Sequence, residues 1–502
     1  MFVKLRSAAP VGLSCLPVEV EVDINKGQTN FGIIGLTDTS IQEAKDRIHS
    51  AIKNSGYKFP FNFRILINLA PANLNKEGSA YDLPMAVGIV MASIGSEKNI
   101  SDTLMIGELA LDGSLRPVNG ILPIALFAKE KNIKNLIVPL ENADEAVLIE
   151  GVCVLPAKNL KEVAQHILDE SLIAPYTKTP ETANEEIFSL DMSQVKGQEF
   201  TKRALEIAAS GGHNILLSGP PGSGKTLLAR TLPTILPPLI EKEILEITKI
   251  YSIAGLLRGG LIKKRPFRSP HHSISNVALV GGGKYPRPGE ISLAHRGVLF
   301  LDEFPEFSRS VLEALRQPLE DGTISISRAR GSLQFPAQFI LVASQNPCPC
   351  GYASDPDQFC NCSASTLLKY QKKISGPILD RIDLHVEVPR LKFEKLSSNE
   401  SGELSSDIRK RVESARKIQA TRFSNLNIIT NAEMGNNEIK KFCQLNSESI
   451  NLLGEAVEKM HLSARAYNRI LKISRTIADL AGEQNISLNH LAEALQFRVK
   501  TQ

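Results

Sequence analysis

No apolar run in this sequence is long enough to cross a membrane. The longest, Leu83 to Gly95, falls short of the ~20 residues that a bilayer core requires, so no membrane partner is expected. No secretory leader is expected either. Met1-Phe2-Val3-Lys4-Leu5-Arg6-Ser7 leads toward the alternating strand Val18-Glu19-Val20-Glu21-Val22 and does not read as a signal peptide. The seven cysteines are therefore expected as thiols in a reducing, cytoplasmic setting. A strong excess of either charge sign is lacking too: a net charge of +4 by itself argues for no partner. Acid is locally absent, however. From Tyr251 to Gly289 there is no Asp or Glu, while Arg258, Lys263, Lys264, Arg265, Arg268, Lys284 and Arg287 occur there with His271 and His272. Such a stretch is either a solvated face or a contact for a polyanion.

Against these absences stands one dense motif, Gly219-Pro220-Pro221-Gly222-Ser223-Gly224-Lys225-Thr226. The apolar run Asn214 to Ser218 before it reads as a buried strand, and Leu227 to Arg230 after it as a helix start. That context makes it a P-loop. Gly219, Gly222 and Gly224 let backbone N–H groups wrap phosphates at a helix N-terminus. Lys225 is expected to reach the β- and γ-phosphates of ATP, and Thr226 to hold Mg²⁺.

Two further apolar strands complete this reading. Gly297 to Leu301 ends in Asp302 and Glu303, the first suited to the Mg²⁺ shell and the second to polarising the attacking water. Phe339 to Gln345 ends in Asn346, whose amide can orient that water without carrying charge. Ligands at strand carboxyl ends are what an α/β sheet presents. The implied chemistry is ATP hydrolysis.

At 502 residues about three domains are expected, at ~100–200 residues each. Composition places them at 1–172, then a polar linker at 173–189, an ATPase domain at 190–395, and a helical region at 396–502. In the last, Leu462, Ala466, Ile470, Ile473 and Ile477 form one apolar helix face. Thr323 to Ser327 and Ser332 to Phe335 alternate with period two around Arg328-Ala329-Arg330-Gly331. That is a β-hairpin with two arginines at its tip.

Arg268-Ser269-Pro270-His271-His272-Ser273 and Pro288 to Gly297, with Val195-Lys196-Gly197-Gln198 upstream and the helical tail, resemble the magnesium-chelatase-like branch of AAA+ ATPases. The full layout is similar to the YifB/ComM family. The resemblance implies an α/β P-loop AAA+ module, a parallel sheet with flanking helices, between an α+β Lon-protease-like domain and a helical lid. It implies a homo-hexameric ATPase. For ComM-type members it implies a DNA helicase driving branch migration of single-stranded or branched DNA in recombination and natural transformation. By the same resemblance Val195 and Gln198 line the adenine pocket. Arg381, within Ser375 to Asp383, is the finger reaching a neighbouring subunit's γ-phosphate, or else a partner of Asp380 or Asp383. Arg465 is a second phosphate sensor, with Arg469 one turn on as its substitute. The Arg328/Arg330 hairpin resembles a pore loop, and Lys263, Lys264, Arg265 and Arg268 form a second DNA contact.

Two features lie outside that scheme. Cys348, Cys350, Cys360 and Cys362 fall in one loop as Cys-Pro-Cys-Gly and Cys-Asn-Cys, and are either a structural Zn²⁺ tetrathiolate, with a tighter bite than the usual C-x₂₋₄-C, or free thiols. Cys15, Cys153 and Cys443 are isolated packing residues. In the Lon-like region, Ala80 stands where that family's nucleophile would be and Leu122 where its lysine would be, with Ser79 one residue out of register. A Ser/Lys dyad needs both groups, so peptidase activity is not expected. A porphyrin-metallating motor (no porphyrin is expected to bind) and a protein remodeller remain as alternatives. A polymerase-remodelling activator would need a Gly-Ala-Phe-Thr-Gly-Ala loop, which does not occur.

Overall fold

The computed structural model describes residues 1–35, 39–74, 76, 78–177, 190–257, 260–283, 286–328, 331–353, 355, 358–391 and 402–498. It divides into two compact units, Met1–Asn184 with Ile244–Ile262, and Glu185–Glu243 with Lys263–Gln502. Composition alone drew the borders differently. It gave 244–262 to the ATPase stretch and set the C-terminal helices apart from it.

The first unit is built on a seven-stranded mixed sheet. Its order is Asn30–Ile34, Phe63–Ala70, Ser14–Lys26, Phe2–Val11, Thr103–Met105, Asn135–Pro139, Cys153–Ala157. Phe2–Val11 and Ser14–Lys26 pair antiparallel around Gly12. Val18, Val20 and Val22 turn inward, as their alternation requires. The apolar run that could not span a membrane becomes the helix Asp82–Ile94, buried along nearly its whole length. Gly95, at φ 79°, ends it by donating to the Met91 carbonyl. Gly88 lets it approach the sheet: a Cβ there would lie 2.6 Å from Val22 Cγ2 and 2.7 Å from Leu5 Cδ1. Ile244–Ile262 belongs to this unit through the Ser252 hydroxyl, which donates to Glu145 at 2.5 Å, and the Ser252 carbonyl, which accepts from the Gly120 amide at 3.2 Å. Among the described residues no helix is long and apolar enough to cross a membrane.

The second unit holds a five-stranded parallel sheet in the order Phe267–Arg268, Val298–Leu301, Ile340–Gln345, Ile215–Ser218, Leu384–Glu387. The strand feeding the P-loop thus lies between the strand ending at Asn346 and the last strand. The C-terminal helices Ser405–Arg422, Ser447–Lys459, Ala464–Leu480 and Leu488–Gln496 share one apolar core with this sheet. Leu217, Phe300, Val342 and Val386 belong to the same cluster as Leu453, Ile470, Ile473 and Phe497. Ala466, Ile470, Ile473 and Ile477 are buried as expected. Leu462 lies before the helix, because the Ser463 hydroxyl caps it by accepting from the Ala466 amide. The hairpin forms as Thr323–Arg328 paired with Gly331–Pro336, with Ile324, Ile326 and Phe335 on its buried side.

Candidate functional site

Three parallel strands deliver their polar ends to one edge of the second sheet. Ile215–Ser218 runs into the glycine loop and Lys225–Ile235 leaves it as a helix. Gly222 and Gly224 take φ values of 76° and 91°, which L side chains rarely adopt. Nothing lies within 4 Å of where a Cβ would sit on either, so that face of the loop is open. Gly219 answers a different need: a Cβ there would meet the Val388 carbonyl oxygen at 2.2 Å. Pro220 and Ser223 are buried between these glycines, while Pro221 is exposed.

The side chains expected to act together do meet here. The Lys225 ammonium, buried, donates to the carbonyls of Gly219 and Pro220 at 2.7 and 2.8 Å and reaches Asn346 Oδ1 at 3.3 Å. Burial pulls its pKa down, partly opposed by the charge of Asp302. The Thr226 hydroxyl donates to Asp302 Oδ2 at 3.0 Å. Ser344, which the sequence reading passed over, donates its hydroxyl to the other Asp302 oxygen. The Glu303 amide donates to Asp302 Oδ1 at 3.1 Å and to Ser344 Oγ at 3.3 Å. Glu303 itself sits at φ 52°, a strained conformation for a non-glycine residue that aims its carboxylate outward. His272 Nδ1 stands 3.5 Å from that carboxylate. The histidine pair was noticed only as charge; its contact with Glu303 spans distant sequence and had no local signal.

The adenine-pocket pair divides. Val195 is buried in the core cluster. Gln198 donates its amide to the Pro389 carbonyl at 2.7 Å, one residue beyond the Val388 carbonyl that Gly219 hugs.

The three arginines assigned to phosphate sensing gather elsewhere. Arg381, Arg465 and Arg469 line a cavity of about 540 Å³ together with Arg416, Glu320 and Asp383. None of residues 219–226, Asp302, Glu303 or Asn346 lines it. Arg381 pairs with neither Asp380 nor Asp383. It is ion-paired with Glu320 and donates to the Pro377 carbonyl at 2.8 Å. Its Nε is buried without a partner among the described residues. Arg465 also reaches Glu320, at 3.1 Å, with 54% of its side chain exposed. Arg469 is drawn inward onto Asp383, 17% exposed. Arg465 is therefore the more accessible of the two candidates. Burial, with Arg265 nearby, pushes Arg416 down to about 10.

Two of the expected DNA contacts, Arg265 and Arg268, carry internal partners. Arg265 donates to the carbonyls of Pro237 and Arg296 at 2.7 Å each and to Glu243 at 3.0 Å, so its guanidinium is committed to internal bonds. Arg268 is paired in a fork with Glu290, both distances 2.6 Å. Lys263 and Lys264 are exposed. The side chain of Arg328, and Arg330 altogether, lie outside the described residues.

The sulfurs of Cys348, Cys350, Cys360 and Cys362 all lie within 4.8 Å of one another. In the first unit, the Ser79 hydroxyl donates to Glu108, Ala80 is partly buried and Leu122 fully so.

Comparison with known proteins places these features in a family. The chain matches "Magnesium chelatase, subunit ChlI" over residues 191–396, "Subunit ChlI of Mg-chelatase" over 20–142 and "Magnesium chelatase, subunit ChlI C-terminal" over 402–498. It is 44% identical over 498 residues to the competence protein ComM of Haemophilus influenzae, covering 98% of this chain and 96% of that protein. YifB of Escherichia coli is 44% identical over 500 residues, with the same 98% and 96% covered. A weaker likeness, 31% over 183 residues, links 33% of this chain to 31% of Lon protease 2 of Bacillus subtilis.

Proposed function

The chain belongs to the magnesium-chelatase-like AAA+ family of ComM and YifB, and on that premise we propose that it is an ATP-driven motor acting on DNA as a ring of identical subunits. The family suggests an ATPase. The observation that carries the reading is the convergence of Lys225, Thr226, Asp302, Ser344 and Asn346 at one sheet edge. The residues suit ATP with Mg²⁺. Gly222 and Gly224 present an open backbone face, and the bonded Thr226 hydroxyl and Asp302 carboxylate supply hard oxygen donors. Bound there, the cation would neutralise charge on the phosphates. Lys225 would exchange its loop carbonyls for phosphate oxygens. Asn346 would orient the attacking water, and Glu303 would take its proton once released from His272. Arg381 and Arg465, in a cavity that no P-loop residue lines, fit phosphate contacts made in trans to a neighbouring subunit.

The relatives include a competence protein, which supports a role in competence and fits branch migration of single-stranded or branched DNA. Lys263 and Lys264, with the arginines of the hairpin tip, are the proposed grip on phosphates. The test is ATPase rate with no addition, single-stranded DNA, forked DNA, unfolded protein or protoporphyrin. Stimulation by DNA, with affinity falling steeply in salt at a log–log slope of about −0.7 per neutralised phosphate on single strands, is the expected result. Removing Arg328 and Arg330 together should flatten that slope and stop translocation while basal ATPase survives. Stimulation by unfolded protein alone would replace the DNA motor with a protein remodeller, and stimulation by protoporphyrin with a chelatase motor.

A further inference from the structure

The strand that ends at Asn346 does not simply run on. It enters the loop carrying the four clustered cysteines, and their spacing is informative. Cys348 Sγ lies 3.2 Å from Cys350 Sγ and 3.7 Å from Cys360 Sγ, and Cys350 and Cys360 are 3.6 Å apart. A disulfide would bring two sulfurs to about 2.05 Å. Four sulfurs around one tetrahedral Zn²⁺, at about 2.3 Å from the metal, stand about 3.8 Å from one another. The separations follow the second pattern. Cys348 is fully buried and the other three are half-buried.

The surroundings tie this cluster to the nucleotide site. Gly351, at φ 88°, sits against the P-loop: a Cβ there would lie 2.5 Å from Pro221 Cδ. Cys362 is followed at once by the Ser363 cap of the helix Ala364–Gln371. Tyr370 on that helix lies near the Asn346 backbone N–H, which partly offsets the rise that burial and Glu306 impose on its phenol. The path from Asn346 through the cysteine loop and the helix therefore returns to the neighbourhood of Asn346, with Gly351 packed against Pro221 midway.

We propose that Cys348, Cys350, Cys360 and Cys362 bind one structural Zn²⁺ as thiolates, each releasing its proton, and that this site holds Asn346 and the P-loop in register. Four sulfurs leave no open position for water, so the ion takes no part in hydrolysis. Zinc binding itself does not depend on the ATPase reading, whereas the coupling to nucleotide does, and the experiment separates them. Metal content is measured by mass spectrometry on the full chain purified under reducing conditions from zinc-supplemented cells, alongside fluorescent-nucleotide binding and ATP turnover. The wild type should carry about one zinc. Cys360→Ser with Cys362→Ser should carry almost none, and turnover should fall by up to about 100-fold, since a ~1 Å displacement of a positioning group can cost that much. Cys443→Ser, outside the cluster, should keep its zinc. Gly351→Ala should keep zinc yet bind nucleotide more weakly, because the added methyl pushes on Pro221. A wild type that carries no stoichiometric zinc and binds none on titration overturns the site. One iron per chain in place of zinc overturns the metal assignment. Full nucleotide binding and turnover in a folded, zinc-free variant overturn the coupling.

Discussion

The two polar regions of the second unit are organised on opposite principles. At the sheet edge, Lys225, Thr226, Asp302, Ser344 and Asn346 satisfy one another through neutral and charge-assisted bonds of ordinary length or shorter. In the arginine cavity basic side chains outnumber acidic ones along the lining; Glu320 holds two arginines, while Asp383 holds Arg469 and faces the buried His213, whose pKa burial lowers. In the first region these polar side chains are partnered within the region. The second carries an Arg381 Nε without a partner among the described residues and an excess of positive charge, and an anion would satisfy both. Buried charge left uncompensated is costly, so on the proposed function the second region is the half of a catalytic site that a neighbouring subunit's phosphate would complete.

Breaking each half separately is the strongest test. Lys225→Ala should abolish nucleotide binding, whereas Arg381→Ala should bind ATP and lose turnover by about 10³–10⁵-fold, the range of a phosphate-contacting arginine supplied in trans. Glu303→Gln should also bind ATP and turn over about 10²–10⁴-fold more slowly. Mixing Lys225→Ala with Arg381→Ala subunits should restore part of the ATPase, because some interfaces then join an intact P-loop to an intact arginine. No recovery in mixed rings of confirmed assembly would place Arg381 in its own subunit's site and dissolve the contrast.

A second test asks whether Asp383 belongs to stability rather than catalysis. Its carboxylate is buried, accepts the Asn214 amide at 2.9 Å, pairs with Arg469 and stands 3.5 Å from His213 Nδ1. Burial alone would raise its pKa, but Arg469, His213 and the Asn214 amide outweigh burial and hold it well below the ordinary 3.8. A depressed carboxyl contributes stability that is fully present above its unfolded pKa and is lost as pH falls below about 4. Asp383→Asn should therefore cost about 3–5 kcal/mol near pH 7, where Arg469 is left buried without its partner, and the penalty should shrink toward pH 3. Denaturant melts at both pH values check this. An equal penalty at pH 7 and pH 3 would remove the ion pair from the explanation.

The two regions also differ in how far the sequence announced them. The P-loop, Asp302, Glu303 and Asn346 are read from strand–turn–helix context because each sits at the end of a short apolar run, and the parallel order follows from that pattern. The arginine cavity joins residues from around 320, 381, 416 and 465, separations over which no periodicity carries information. Arg381 could be named only by resemblance, and its partner Glu320 not at all. That Arg265 and Arg268 have internal partners was hidden for the same reason. Their acid-free neighbourhood looked solvated, yet Glu243 and Glu290, from just outside that stretch, fold back onto them. Ser344 was hidden differently: it looks like one more residue of an apolar strand until the pleat turns it toward Asp302.

The smallest effect falls on Glu320, and it decides what that carboxylate does. It accepts from both Arg381 and Arg465, and 47% of its side chain is exposed. Those hydrogen bonds, Arg381's first, hold its pKa below the ordinary glutamate value. The exposed Arg465 pair contributes only about 0.2–1 kcal/mol, whereas Arg381 is itself buried, so Glu320→Gln should lower the melting midpoint, but less than Asp383→Asn, because the glutamine oxygen still accepts from Arg381. Its kinetic effect depends on whether the arginines are at rest or in place. If Glu320 merely occupies them until a neighbouring subunit's phosphate arrives, it competes with that phosphate. Removing its charge should then lower KM for ATP by up to about fivefold, the equivalent of about 1 kcal/mol, with kcat held or raised. If Glu320 instead aims Arg381, the glutamine variant should lose kcat at constant KM. Steady-state kinetics at two ionic strengths separates the outcomes, because the wild type's disadvantage should narrow as salt screens the exposed Arg465 pair. A fall in kcat with KM unchanged would make the cavity a pre-set catalytic half rather than one waiting for its anion.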